Sequence, residues 1–333
     1  MKKYSAPINK DRSHVNNVSN VKSHMGYRRM LPPGLDRKII GVIILLFILS
    51  FSTQVLHADC GSIPFHPEVK ISEPRQRAMI AWNGTEEILL LSTDMVASGK
   101  TKVLRIIPFP SEPVVKIGDV EVFRKAIKLI NQKIRDRSAQ AVRKEGQENI
   151  KGYPAGEVTF HQFIESNDIM VIHVLDVNSF SNWVERYFQA YEEQNPQIPE
   201  TLKAVVNDYL AEGFSWFVFD VVSLDDVPKT TKAIQYRFIT ESLFYPLRIN
   251  RTEEGETSIE LLVLTQRPLI QFPGISIEEI VLPYEPIGMS SQELRSLSED
   301  MEDVLGHNKK DIKLRNWHIK GALSGFTKDL IVK

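Results

Sequence analysis

The apolar positions of this chain change period along its length. Residues 39–51, IIGVIILLFILSF, are apolar except for Ser50, and no charged residue occurs anywhere in Ile39–Ala58. From residue 77 the pattern becomes that of strands. RAMIAW (77–82) and TEEILLLST (85–93) flank Asn83-Gly84, the dipeptide of a tight hairpin in which both turn positions take φ > 0. KVLRIIPF (102–109) extends the hairpin into a meander. Pro108, Pro110 and Pro113 then end it, because proline cannot donate to a ladder.

Helical spacing follows. Phe123, Ile127, Ile130 and Ile134 recur on one face after Gly118-Asp119, with Asp119 as the expected N-cap. KEGQENIKGYPAG (144–156) is polar, carries Gly and Pro, and reads as a connection near which the body could divide. EVTFHQFI (157–164) and DIMVIHVL (168–175) predict two strands. Asn178 or Ser179 then opens a helix with Trp183, Tyr187 and Tyr191 on one side, and a second helix runs from Pro199 to Gly213 through Leu202, Val205, Val206, Tyr209 and Leu210.

FSWFVFDVV (214–222) is almost wholly apolar and aromatic, as in a strand buried on both faces. Further strands are predicted at 233–239, 245–250 and 258–265. Ser290-Ser291-Gln292-Glu293 has capping-box spacing ahead of Leu294, Leu297 and Met301, and the chain closes with DIKLRNWHI (311–319) and KDLIV (328–332). Strands, then helices, then strands again predict an α+β fold. Its strands should be mostly antiparallel and packed with three to four helices, preceded by one N-terminal hydrophobic helix.

Charge divides the chain more sharply than hydropathy does. Across all 333 residues, 41 Lys+Arg nearly balance 42 Asp+Glu. Residues 1–38 alone hold nine basic and two acidic side chains, a net of +7, so the remaining 32 basic and 40 acidic groups give residues 59–333 a net of −8. An acidic body speaks against nucleic acid as a partner, since phosphate attraction needs a Lys/Arg excess. A basic flank, an apolar run and the exit Leu56-His57-Ala58 have the layout of a secretory signal cleaved before Asp59. The uncharged stretch 39–58 is also long enough for a single membrane anchor. Either way the basic head stays cytoplasmic and the acidic body crosses the membrane. Three parts are therefore expected: a basic, disordered segment 1–38, a signal peptide or anchor 39–58, and an extracytoplasmic domain 59–333. Initiation at Met30 rather than Met1 would leave a conventional short signal. Asp59 is unfavourable for lipid attachment at Cys60, and with 1 Cys in the chain an internal disulfide is excluded.

Taken together, QRAMIAWNGTEEILLLST, IIPFPSEP, the helix after Asp119, EGFSWFVFDV, YPLRI and FTKDLIV resemble the prokaryotic family known as domain of unknown function 2330, over about residues 60–333. The resemblance implies an exported prokaryotic protein and supplies no catalytic residues.

Chemistry is sparse. The chain contains no G-x-S-x-G, Walker A, G-x-G-x-x-G or H-E-x-x-H pattern, and no cofactor is implied. His161 and His173 lie in predicted strands, and with Glu157 or Asp168 they are the candidate catalytic or metal-binding groups, alternatively surface or hydrogen-bonded strand histidines. Asp225-Asp226 before Pro228 reads as a turn or a cation site. The basic residues from Arg124 to Lys144 read as a solvated helix face or a patch for anionic polymer, and Phe214, Trp216, Phe217 and Phe219 as core or groove. Two readings of function remain. One is a non-catalytic binding domain outside the membrane, for a wall polymer or a protein partner. The other is an exported hydrolase or metal-dependent enzyme whose site converges from remote positions, which would bring His161, His173, Glu157, Asp168 and Asp225 into one cleft.

Overall fold

The computed structural model describes residues 61–144, 168–191, 198–252, 255–269, 280–306 and 311–333. The apolar stretch 39–58, Cys60, the connection 145–156 and the expected strand 157–164 lie outside the described residues. Among those described, no helix is long and apolar enough to cross a membrane.

The element order is β1 (Ser62–Pro64), β2 (Ile71–Trp82), β3 (Glu86–Ala97), β4 (Thr101–Phe109), β5 (Val114–Ile117), α1 (Glu121–Lys144), β6 (Asp168–His173), α2 (Val177–Ala190), α3 (Glu200–Ala211) and β7 (Trp216–Leu224). It continues with β8 (Lys229–Thr230), β9 (Ile234–Ile239), β10 (Leu243–Tyr245), a 3-10 turn at Arg248–Thr252, β11 (Glu256–Thr265), β12 (Ile280–Val281) and β13 (Ile287–Met289). Helices α4 (Ser291–Leu297) and α5 (Glu299–Leu305), strand β14 (Ile312–Ala322) and strand β15 (Leu330–Val332) complete it.

The strands form a 9-stranded sheet ordered β12-β14-β11-β2-β3-β9-β5, a 4-stranded sheet ordered β1-β4-β7-β6, and the β10-β15 ribbon. β13 joins the large sheet on β14 and β8 joins it on β3. The fold is α+β, and among the described residues its pairings are antiparallel with one exception: β2 and β11 run parallel at the middle of the large sheet, Ala78 opposite Leu261.

Side-chain alternation stacks these parts in four layers. Ala78, Ile80, Leu89, Leu91, Leu261 and Val263 point from the large sheet toward Ile107, Phe109 and Val218 of the small one. The opposite set, Met79, Ala81, Ile88, Leu90 and Leu262, packs against α1, α4 and α5 through Phe123, Ala126, Leu294 and Met301. On the far side of the small sheet Leu104, Ile106, Phe217 and Phe219 meet α2 and α3 through Phe180, Val184, Val205 and Tyr209. Central strands are covered on both faces, which explains their nearly continuous apolar sequences.

Several details differ from the sequence pattern, each for a local reason. The first hairpin turns through residues 83–85, and only Gly84 takes positive φ. Asn83 holds the loop with its side chain instead, its Oδ1 accepting from the Thr85 and Glu86 N–H groups at 2.9 Å each, an Asx turn. Asp176, not Asn178 or Ser179, caps α2 by accepting from the Ser179 N–H at 2.7 Å. The stretch 245–250, expected as a strand, leaves β10 at Tyr245 and becomes the 3-10 turn. The tail carries the capping box at Ser290 and then breaks at Ser298, whose extended backbone caps a second short helix. The described residues therefore contain five helices rather than three to four.

Gly61 marks the closest backbone approach at the start of the body. A Cβ there would lie 2.6 Å from Ile249 Cγ1 and 2.8 Å from the Ile106 carbonyl oxygen. Gly61→Ala is expected to lower stability by about 1–3 kcal/mol, read as a reduced urea midpoint. An unchanged midpoint would mean that Gly61 does not sit on β4.

Candidate functional site

The residues singled out by sequence do not converge. Asp168 and His173 occupy opposite ends of β6, about 17 Å apart at strand rise. Asp168 accepts hydrogen bonds from the Tyr187 and Tyr191 hydroxyls at 3.1 and 3.2 Å and so fastens α2 to the sheet edge. Burial, then Tyr191 and Asp168, push the Tyr187 phenol up. His173 stacks on Trp216 with ring centroids 4.5 Å apart, its Nε2 3.1 Å from Ser215 Oγ. Asp225 closes a turn, accepting from the Val227 N–H at 3.0 Å and pairing with Lys229 at 2.9 Å, and these bonds hold its carboxyl below the usual range. His161 and Glu157 lie outside the described residues. Among those described, no three His, Cys, Asp or Glu residues are grouped to hold a metal ion. Phe217 and Phe219 belong to the core, while Phe214 and Trp216 are half-buried at its edge.

A charged centre unremarked in the sequence lies between the two sheets. Arg105 on β4 and Asp220 on β7 face each other across the small sheet, Nη1 to Oδ2 3.4 Å, with their side chains 9% and 0% exposed. Arg105 Nη2 also donates to Thr93 Oγ1 at 3.0 Å. Glu73 at the β2 irregularity, Gln76 and Tyr245 extend the network: Gln76 Nε2 donates to Glu73 at 3.3 Å, and the Tyr245 hydroxyl donates to Gln76 Oε1 at 2.7 Å. Burial opposes ionisation of Arg105, but Glu73 and Asp220 outweigh it and raise its pKa. Burial also raises Glu73, against the pull of Arg105. The centre borders a cavity of about 30 Å³ that Gly61, Ser62 and Asn250 help to line, room for about two waters and too small for a substrate. Its signal was in the sequence all the same. Arg105, the one charged residue in the apolar run 103–109, and Asp220, the one in 214–222, need partners if those runs are buried, and each is partner to the other.

A second polar row crosses the helix-facing side of the large sheet. The registers place His318, Glu260, Arg77 and Ser92 side by side on four adjacent strands. Arg77 forms a two-pronged pair with Asp94 at 3.0 and 3.1 Å, which Thr230 Oγ1 joins at 2.7 Å. His318 Nε2 lies 3.8 Å from Glu260 and 3.2 Å from Asn316 Nδ2, which donates to the Tyr284 hydroxyl at 2.9 Å. Burial pushes the Glu260 carboxyl up, yet His318, Arg77 and Asn316 bring it below its ordinary value. A histidine beside a carboxylate is the pairing used in acid–base catalysis. Pairing the predicted strands 258–265 and 311–319 antiparallel, with Glu260 opposite His318, would have revealed it.

The third feature has the size of a ligand. A groove of about 610 Å³ runs along the outer surface between α2 and α3, within the range of small-molecule sites. Asn178, Ser181 and Asn182 line one wall and Asn207 the other. Lys203, paired with Glu200 at 2.7 Å, and Glu185 line it as well.

A comparison with curated proteins gives no match. Among solved structures, the chain is similar to one described as the crystal structure of baculovirus P35, at 10% identity and a TM-score of 0.39, over 81% of this chain and 99% of that one. At that distance the likeness carries no argument. The family comparison is more direct, because one profile matches residues 55–271, from before β1 to beyond β11. The chain belongs to the bacterial family described as "Uncharacterized protein conserved in bacteria (DUF2330)".

Proposed function

We propose that residues 59–333 form a non-catalytic binding domain that works outside the cytoplasmic membrane. The observation that carries this reading is a contrast in how polar groups are employed. The reactive residue types picked out by sequence are tied to neighbours or placed apart, whereas the ligand-sized concavity is lined on two helices by three Asn amides and a Ser hydroxyl, with Glu185, Glu200 and Lys203 beside them. Export rests on the +7 head, the uncharged 39–58 stretch and the −8 body. Residues 39–58 then either leave as a signal peptide or stay as the membrane contact. The ligand is a wall polymer or a protein partner. A second reading, an exported hydrolase or metal-dependent enzyme, draws on the His318–Glu260 pair.

Expression of the full chain in a bacterial host, followed by intact-mass measurement of each fraction, tests the compartment. The expected product is exported. A soluble species beginning at Asp59 means a cleaved signal, and a membrane-bound full-length species means an anchor. A soluble product in the cytosol overturns the proposal.

A further inference from the structure

We infer that the α2–α3 groove binds a neutral chain of N-acetylated sugars, an assignment that rests on the reading of this domain as a binder. The first support is a conflict between local sequence and local structure. Ser181 and Asn182 on α2 and Asn207 on α3 sit inside helices, on their outer faces. Asn and Ser are poor helix formers there, since their side chains compete for backbone groups. A surface selected only for helix stability would carry Ala, Glu, Lys or Gln at these positions. Departures from local preference of this kind gather at functional sites.

The second support is the chemistry of the walls. A side-chain amide offers a carbonyl acceptor and an N–H donor side by side, and an acetamido group on a sugar offers the complementary pair. Asn182 on α2 and Asn207 on α3 both line the groove and supply such amides, and Asn178 and Ser181 supply further groups for ring hydroxyls. The third support is charge. Glu185, Glu200 and Lys203 give the groove a net of −1, which repels phosphate-bearing polymers, so the favoured ligand is uncharged. Recognition of an extended peptide would call for pockets that take alternate side chains. The groove has only Val177 and Ala204 as apolar lining.

The test uses the protein purified from whichever fraction holds it, titrated calorimetrically with four probes: the β-1,4-linked tetramer of N-acetylglucosamine, the same chain of plain glucose, poly(glycerol phosphate), and an unstructured neutral peptide. Saturable binding of the acetylated tetramer is expected, with the glucose chain at least about tenfold weaker, the loss that follows from about one unmade pair of hydrogen bonds. Asn182→Ala and Asn207→Ala should each weaken binding about tenfold while the melting temperature holds or rises, alanine being the better helix former. No binding of the acetylated tetramer, equal binding by both variants, or preference for the polyanion or the peptide overturns the assignment. Compartment does not enter this measurement, so its failure is separate from failure of the export reading.

Discussion

Arg105→Ala is expected to lower stability by about 3–5 kcal/mol, enough to unfold a domain of ordinary stability at moderate urea concentration. The reason lies in what remains behind. Asp220 is 0% exposed and Glu73 3%, and both would lose the guanidinium that offsets their burial. Removing one member of a buried charge group costs more than the group contributed, because the survivors keep their desolvation. The triple variant Arg105→Met, Asp220→Leu, Glu73→Gln removes the charges together and should recover most of the loss. Urea midpoints of the three proteins decide the matter. A loss below about 1 kcal/mol for Arg105→Ala, in the range of an exposed pair, would mean that the centre is open to water.

Glu87→Gln should act in the opposite direction, and more strongly as pH rises. Glu87 is fully buried on β3 between its cross-strand neighbours Trp82 and Phe238. One carboxyl oxygen accepts from the Phe244 N–H at 2.8 Å, and the other has no hydrogen-bond partner among the described residues. Burial raises its pKa well above the ordinary value, and only the Phe244 bond opposes this. The folded state thus keeps a proton that the unfolded chain releases above about pH 4.5. Stability from this group is whole below that pH. It then falls by up to about 1.4 kcal/mol per pH unit until the folded pKa is passed. Glutamine, neutral at every pH, removes that slope. The stability of the Gln variant minus that of the wild type should be near zero at about pH 4 and grow as the pH rises above it, levelling off once the folded pKa is passed. Glu73 and Asp329, also raised by burial, are present in both proteins and cancel in the difference. A pH-independent difference would show that the carboxylate finds water or a cation in the folded protein.

Local periodicity made much of the fold legible, and non-local pairing hid the rest. The hairpin at Asn83-Gly84, the helix through Phe123 and Ile130, the aromatic strand at 214–222 and the cap at Ser290 each follow from residues that are near in sequence. The parallel β2–β11 contact does not, because nothing within either segment specifies a neighbour so remote. The sites divide along the same line. His173 and Asp168 drew attention as reactive types in strands, yet each is held by aromatic neighbours. Glu260 and His318 become a pair only through the β11–β14 register. The α2–α3 groove is invisible along either helix alone, since its two walls belong to different elements.

The parallel contact at the centre of the large sheet also sets an order of assembly. β2 and β3 emerge early from the ribosome, but β11 must lie along one side of β2 and β14 along β11 before that sheet is closed. Half-built, the hairpin presents apolar side chains on both faces. Pairings this distant in the chain form slowly, and until they are made the apolar faces of the hairpin stay uncovered, the condition under which chains aggregate.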